Sequence, residues 1–204
     1  MSDAPALDDH YALDAAAREL LFTEARSANA FTDEPVGDEQ LRAIVELVRW
    51  PPTAANTNPL RIVFVRTPEG KQRLAPHMNE GNRAKTVAAP VTALLAFDRE
   101  FYERIPQLFP DKAGMRDALA DNPNSDEMAR FNAALQAGYF ILAVRSVGLA
   151  AGPMAGFDAD GIEREFFADR NEQPILVVNI GKPGPDAWFP RLPRLSYEEL
   201  VREV

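Results

Sequence analysis

The sequence predicts a single α+β or α/β domain, and three observations predict it. Three short apolar runs have the length and bounds of strands: LRIVFVR from Leu60, VTALLAF from Val91 and PILVVNIG from Pro174. Stretches of helical periodicity precede and separate them. No repeat, linker or shift in composition divides the 204 residues, and 46% hydrophobic content suits one sizeable core.

The elements follow in chain order. Residues 1–12 are polar and acidic and are expected to be a flexible start to the single 1–204 domain. Leu13 to Ala28 reads as a helix, with Leu13, Ala17, Leu20, Leu21 and Ala25 on one stripe. Pro35 and Gly37 break the chain. Asp38 then caps a helix that buries Leu41, Ile44, Val45 and Val48. WPPTAANTNP, Trp50 to Pro59, is irregular, because proline lacks a backbone donor and Asn and Thr favour turns. After the first strand a short helix starts at Pro68 and another spans Asn79 to Ala88. The strand at Val91 is apolar enough to be buried on both faces. Asp98 to Asn124 is irregular with room for short helices. Ser125 caps a long helix running to about Val147, with Asp126 and Glu127 favourable in its first turn and Gly148 as terminator. Its YFILAV stretch is apolar all round, which predicts a central, buried helix. Leu149 to Met154 is extended or looped, Asp158 caps a helix through Ala168, and Ser196 with Glu199 forms a capping box.

Composition excludes several classes of function. Lys plus Arg is 22 and Asp plus Glu is 31, so the net charge is −9 and nucleic acid is a poor partner. With no cysteine and only His10 and His77, thiolate chemistry and Cys- or His-rich metal sites are excluded, and no metal is expected. The chain start lacks the pattern of a signal peptide, and no apolar run approaches a membrane span, so a cytoplasmic protein without membrane contact is expected. Neither G-x-G-x-x-G nor a P-loop occurs.

Five polar segments remain, each with an ordinary reading beside the functional one. ARSANAF, Ala25 to Phe31, offers Arg26 and Ser27, or simply a helix end with a favourable cation. The loop Pro52 to Pro59 offers Thr53, Asn56 and Asn58, or a self-bonded turn. GNRAKT sets Asn82 and Lys85 at i and i+3 on one helical face, which could equally be solvated. GPMAGFD, Gly152 to Asp158, lets backbone approach a flat ligand, or links two elements. Arg191 and Arg194 lie between prolines, restrained as a phosphate grip requires, or in a surface tail.

Together, in this order over roughly Leu20 to Leu200, these segments resemble the nitroreductase family of FMN proteins. The resemblance implies an α+β fold with a central mixed sheet flanked by helices, the domain being completed by dimerisation. It implies that Arg26, Ser27, Asn29 and Arg191 hold the FMN phosphate, and that Pro52, Thr53, Ala54 and Asn56 line the flavin. Asn82 and Lys85 would contact its pyrimidine edge and ribityl chain, and Pro153, Met154, Ala155 and Gly156 would meet the ring at N5. The chain departs from the family pattern at Ala25 and Asn29, where basic residues are usual, at Ala155 in place of Glu, and at Leu60 in place of Trp.

The resemblance further implies NADPH or NADH as hydride donor and ping-pong turnover through N5, with no catalytic side chain. It implies a homodimer with FMN at the interface, for which Ala134 to Val147 is the natural seam unless that helix is simply core. The variants WPPTAAN, FDREFYERIP from Phe97, GPMAGFD and PRLPRLS from Pro190 resemble the malonic semialdehyde reductase branch most, which makes 3-hydroxypropionate in pyrimidine degradation. Arg61 and Arg104 are candidates by position to orient that small substrate. The alternatives are a broad nitroaromatic or quinone reductase and a flavin-binding protein without turnover.

Overall fold

The computed structural model describes residues 10–204, so most of the expected flexible start lies outside the described residues. The chain runs through α1 (Ala15–Arg18), α2 (Asp38–Val48), β1 (Leu60–Val65), α3 (Pro68–Leu74), α4 (Glu80–Ala88) and β2 (Val91–Asp98). It continues through α5 (Ile105–Leu108), α6 (Met115–Ala120), α7 (Ser125–Ser146), β3 (Ala150–Met154), α8 (Ala159–Phe166), β4 (Glu172–Gly181) and α9 (Tyr197–Leu200). No described helix is long and apolar enough to cross a membrane.

The four strands form one sheet in the order β1-β2-β4-β3, with β1 and β3 at its edges. Every pairing is antiparallel, which corrects the expectation of a mixed sheet within the chain. The reason is visible between β1 and β2. Two helices, α3 and α4, carry the chain out and back, so β2 starts beside the end of β1, with Val65 opposite Thr92. A crossover through one helix would have brought it back parallel. Opposite Leu95 and Ala96 the register of β4 slips by one residue, a bulge beside Pro174, which has no N–H to donate.

Alternation along β2 explains why the run is apolar throughout. Ala93, Leu95 and Phe97 face a core shared with α2 and α7, while Leu94 and Ala96 face a second core with Leu74, Met78, Ile162 and Phe167. Helix α7 lies across the first face. It buries Ala129, Ala133, Ala137, Phe140 and Val144, and the alanines let it approach closely. Gly148, at φ +74°, follows it. The opposite side of α7 is not buried: Phe131, Leu135 and Tyr139 are 63%, 42% and 45% exposed. The expectation that the YFILAV half is buried all round therefore holds for Phe140, Ala143 and Val144 and is corrected at Tyr139, which continues an exposed apolar stripe from Phe131 and Leu135.

Caps also shift slightly. Gly37, not Asp38, is the N-cap of α2, with Gln40 accepting its N–H at 3.0 Å, and Asn124 precedes α7, leaving Ser125 as its first residue. Asp158 and Ser196 cap α8 and α9 as expected.

The largest correction is the first helix. Four α-helical residues pass into a π-helical turn over Glu19–Thr23, and the helix stops there. None of these residues is buried, so among the described residues its apolar stripe joins no core. Beyond it the backbone is recruited by the sheet edge. Ala28 N–H donates to Ala151 O at 3.0 Å, and Thr32 N–H to Lys182 O at 3.0 Å. Tertiary pairing outweighs helical propensity here.

Candidate functional site

The extended segment after the π turn sets out the first candidate residues. It can lie against β3 because Gly152 has no side chain; a Cβ there would stand 2.5 Å from Ala28 O. Arg26 donates through Nη1 to Phe189 O at 3.3 Å, and its Nε is buried without a partner. Arg191 donates to Ala25 O at 3.3 Å, so the late arginine and the early segment brace one another. Ser27 is exposed beside them. Asn29 donates to Ser27 O at 3.2 Å, and its Oδ1 accepts from Lys85 Nζ at 3.2 Å.

Helix α4 and the segment after β3 meet at one carbonyl. Gly156 O accepts from Asn79 N–H at 3.1 Å and from Asn82 Nδ2 at 3.0 Å. A Cβ on Gly156 would stand 2.9 Å from the side-chain Nδ2 atoms of Asn79 and Asn82, so the junction tolerates only glycine without movement. Within this segment Met154 is buried in the core, Pro153 is half-buried and Ala155 is exposed. Lys85 stands one turn along from Asn82. Burial holds its pKa below the usual lysine value, and its hydrogen-bond partner is the neutral amide of Asn29. Asn29, Lys85 and Phe189 line one cleft of about 510 Å³. Arg26, Arg191, Asn29 and Lys85 thus form one set on the β3 side of the molecule, and helix α4 joins it to the Asn82–Gly156 pair, which is not among the residues lining the same cleft.

The Pro52–Asn58 loop lies elsewhere. It leads into β1, the opposite sheet edge, and is fastened to α7: Asn132 Oδ1 accepts from Ala54 N–H at 2.7 Å, and Gln136 Oε1 from Leu60 N–H at 3.0 Å. Asn56 donates to Leu108 O at 2.7 Å, Thr53 Oγ1 accepts from Asn58 N–H at 3.2 Å, and Asn58 donates to Asn56 O at 2.8 Å. The loop polar groups hold its own shape, with Ala55, Asn56 and Asn58 at positive φ. A cleft of about 610 Å³ beside it is lined by Trp50, Pro52, Thr53, Asn56, Arg61 and Gln136, among others.

Arg61 lines that cleft but is already engaged. It pairs with Asp98 at 2.6 Å and donates to Asn58 O and Leu60 O at 3.0 and 2.9 Å. Arg104 is exposed at the end of a 3-10 turn and does not line the cleft beside Arg61. Among the described residues no group of His, Asp or Glu could hold a metal ion.

Sequence reading missed Asn79, Asn132, Gln136 and Arg145. The first three act through side chains or backbone on distant segments, which spacing does not disclose. Arg145 stands in the last turn of α7, where a lone cation reads as a partner for the helix dipole. Its signal is a single charge closing the apolar run YFILAV.

A profile of the Nitroreductase family matches residues 23–182. A Streptomyces coelicolor protein, provisionally named NADH dehydrogenase/NAD(P)H nitroreductase, is 56% identical over 193 residues, covering 94% of this chain and 98% of its own length. Among solved structures, a provisionally named nitroreductase of Bacillus subtilis has a TM-score of 0.83 at 24% identity, covering 94% of this chain and 100% of its own. A provisionally named nitroreductase of Exiguobacterium sibiricum, in complex with FMN, has a TM-score of 0.81 at 21% identity, covering 95% and 98%.

Proposed function

This chain belongs to the nitroreductase family, and on that premise we propose that it is an FMN-dependent, NAD(P)H-using oxidoreductase that works as a homodimer. The observation that carries the reading is on the β3 side, where Arg26 and Arg191 brace the early segment against the late arm, Asn29 meets Lys85, and one turn along the same helix Asn82 meets Gly156.

The residues fit an FMN. Arg26 Nε is buried without a partner, and Lys85 is a half-buried cation against a neutral amide. Both are donors for oxygen acceptors. Asn82 and Asn79 hold the Gly156 backbone where no side chain fits, as a flat ring requires. When bound, FMN supplies the redox chemistry, accepting a hydride from NADPH or NADH and passing it to the second substrate. Arg26, Ser27 and Arg191 would bind its phosphate, Asn82 and Lys85 its polar ring edge and ribityl chain. Pro153 to Gly156 would set the face exposed to substrate.

A second copy completes this site. The Pro52–Asn58 loop and the Gly156 segment lie at opposite edges of a four-stranded sheet, three strand spacings or about 14 Å apart. One chain therefore does not fold both against one ring. The exposed stripe Phe131, Leu135 and Tyr139 runs on the helix to which the loop is fastened, and it supports a pairing that brings the partner's loop across.

For the substrate we assign malonic semialdehyde, reduced to 3-hydroxypropionate, on the motifs GPMAGFD, FDREFYERIP and PRLPRLS and on the cations Arg49 and Arg61 lining the loop cleft. The Asp98 ion pair leaves Arg61 a weaker carboxylate anchor than an unpaired arginine. A second reading, a nitroaromatic or quinone reductase, is favoured by Trp50, 75% exposed beside Pro51 and Pro52 in the same cleft.

The test is direct. The purified protein is expected to bind FMN and to bleach under anaerobic NADPH or NADH. A protein that takes up no FMN overturns the reading, and one that binds FMN without bleaching is a flavin binder. The ratio of kcat/KM for malonic semialdehyde and a nitroaromatic then decides the substrate class.

A further inference from the structure

A third cleft, of about 400 Å³, lies beside the β3-side set and is lined by Arg26, Arg145, Leu149 and Trp188, among others. Arg145 donates through Nη1 to Leu21 O at 2.8 Å. Its Nε, like that of Arg26, is buried with no hydrogen-bond partner. Arg191 is close enough that its charge, second to burial, keeps the Arg145 pKa below the usual arginine value. The hydrogen bonds of all three guanidinium groups go to backbone carbonyls: Phe189 O, Leu21 O and Ala25 O. Among the described residues none of the three has a carboxylate within ion-pair distance, although Glu19 and Glu24 line the same cleft.

That arrangement is costly as it stands. Arg26 and Arg145 are half-buried and Arg191 is exposed beside them, and gathering like charges where two are partly desolvated raises the free energy unless an anion joins them. The chain carries 31 acidic residues, so carboxylate partners are not scarce. Two positions of the early segment, Ala25 and Asn29, supply no charge toward this cleft. Arg145 reaches the cleft from α7, a helix anchored by buried Ala143 and Val144.

We infer that Arg145 is the third guanidinium of an anion site shared with Arg26 and Arg191, and that the site takes the phosphate of the flavin nucleotide. The second half of this inference rests on the FMN reading above. Three guanidinium groups from the early segment, the α7 terminus and the late arm surround a phosphomonoester dianion with charge-assisted hydrogen bonds. Arg145 thereby replaces from α7 the cation that Ala25 does not provide.

The experiment titrates the full-length protein with FMN and with riboflavin, which differ by the phosphate alone. In Arg145→Ala, FMN affinity is expected to fall about 10- to 150-fold while riboflavin affinity is unchanged. Arg145→Lys, which keeps the charge, should fall between wild type and Ala. Equal losses for both ligands, or a loss for neither, overturn the proposal and leave Arg145 as a tie to Leu21 O. If Arg145→Ala does not fold, Arg145→Gln and Arg145→Lys carry the same comparison. If wild type binds neither flavin, the FMN reading fails separately. Inorganic phosphate then tests the anion site: a rise in melting temperature that Arg145→Lys weakens upholds it, and no rise in wild type overturns it.

Discussion

At Gly156 a single methyl group separates two outcomes. Gly156→Ala would place its Cβ 2.9 Å from the side-chain amide nitrogens of Asn79 and Asn82. One or both side chains must swing away, and if Asn82 does so the carbonyl keeps only the Asn79 backbone N–H of its two donors. Overpacking of this kind costs about 1–3 kcal/mol, so a lower melting temperature and weaker FMN binding are expected together. An alanine variant with unaltered FMN affinity would show that the junction does not face the flavin. Arg191 is exposed and donates only to Ala25 O. Its replacement by alanine should lower FMN affinity about 10- to 150-fold with little change in melting temperature; wild-type affinity would remove Arg191 from the site. These residues were legible because their motifs place unusual polar types at fixed short spacings. Arg145 was not, because a cation at a helix C-terminus has an adequate local explanation. Asn56 and Asn58 were ambiguous for the opposite reason: the protein uses their amides on its own backbone, Asn58 within the loop and Asn56 on Leu108 O.

At the scale of elements, a buried polar ring locks α3 and α4 to the sheet behind the site. Lys71 on α3 is 4% exposed. Its Nζ donates to Thr86 O at 2.9 Å and to Thr92 Oγ1, Thr92 donates to Asn179 Oδ1 at 2.7 Å, and Asn179 Nδ2 donates back to Thr86 Oγ1 at 3.4 Å. Thr86 adjoins Lys85, so the ring fixes the helix face that carries Lys85 and Asn82. Burial brings the Lys71 pKa from 10.5 down to about 7. The unfolded chain therefore holds one more proton than the folded one between these values, and stability rises with pH across that window. Between pH 7 and pH 9 wild type is expected to gain about 2 kcal/mol from this group, read by urea unfolding. Lys71→Met should lose that increment, and equal pH slopes in the two proteins would refute the neutral amine. The strands here were plain in the sequence because β-branched runs buried on both faces have few other readings. The first helix was misread because periodicity records an apolar stripe and says nothing of whether a core awaits it. The π turn and the capture of Ala28 by β3 depend on contacts more than a hundred positions away.

At the scale of the molecule, the sheet order bears on the proposed two-copy site. The Pro52–Asn58 loop enters β1 and the Gly156 segment leaves β3, with β2 and β4 between them. Helix α7 contacts all four strands and presents Phe131, Leu135 and Tyr139 to solvent, spaced one turn apart. Large apolar side chains in such a row are stabilised by about 1.5–3 kcal/mol each when buried, and a second α7 is the self-complementary surface that a twofold axis supplies. Periodicity alone left this helix either core or seam, because both bury apolar residues. In the structure one face of the helix is core, and the other is exposed and apolar, where the proposed seam would lie. Phe131→Glu changes the exposed face and leaves the Phe140 side packed. Sedimentation is expected to give a dimer for wild type and a monomer for Phe131→Glu, with helical content retained in the monomer. If the partner's loop closes the site, the monomer also loses FMN affinity. A variant that is monomeric yet binds FMN as tightly as wild type would place the whole site within one chain, and the distance across the sheet would then have to be bridged by some other segment.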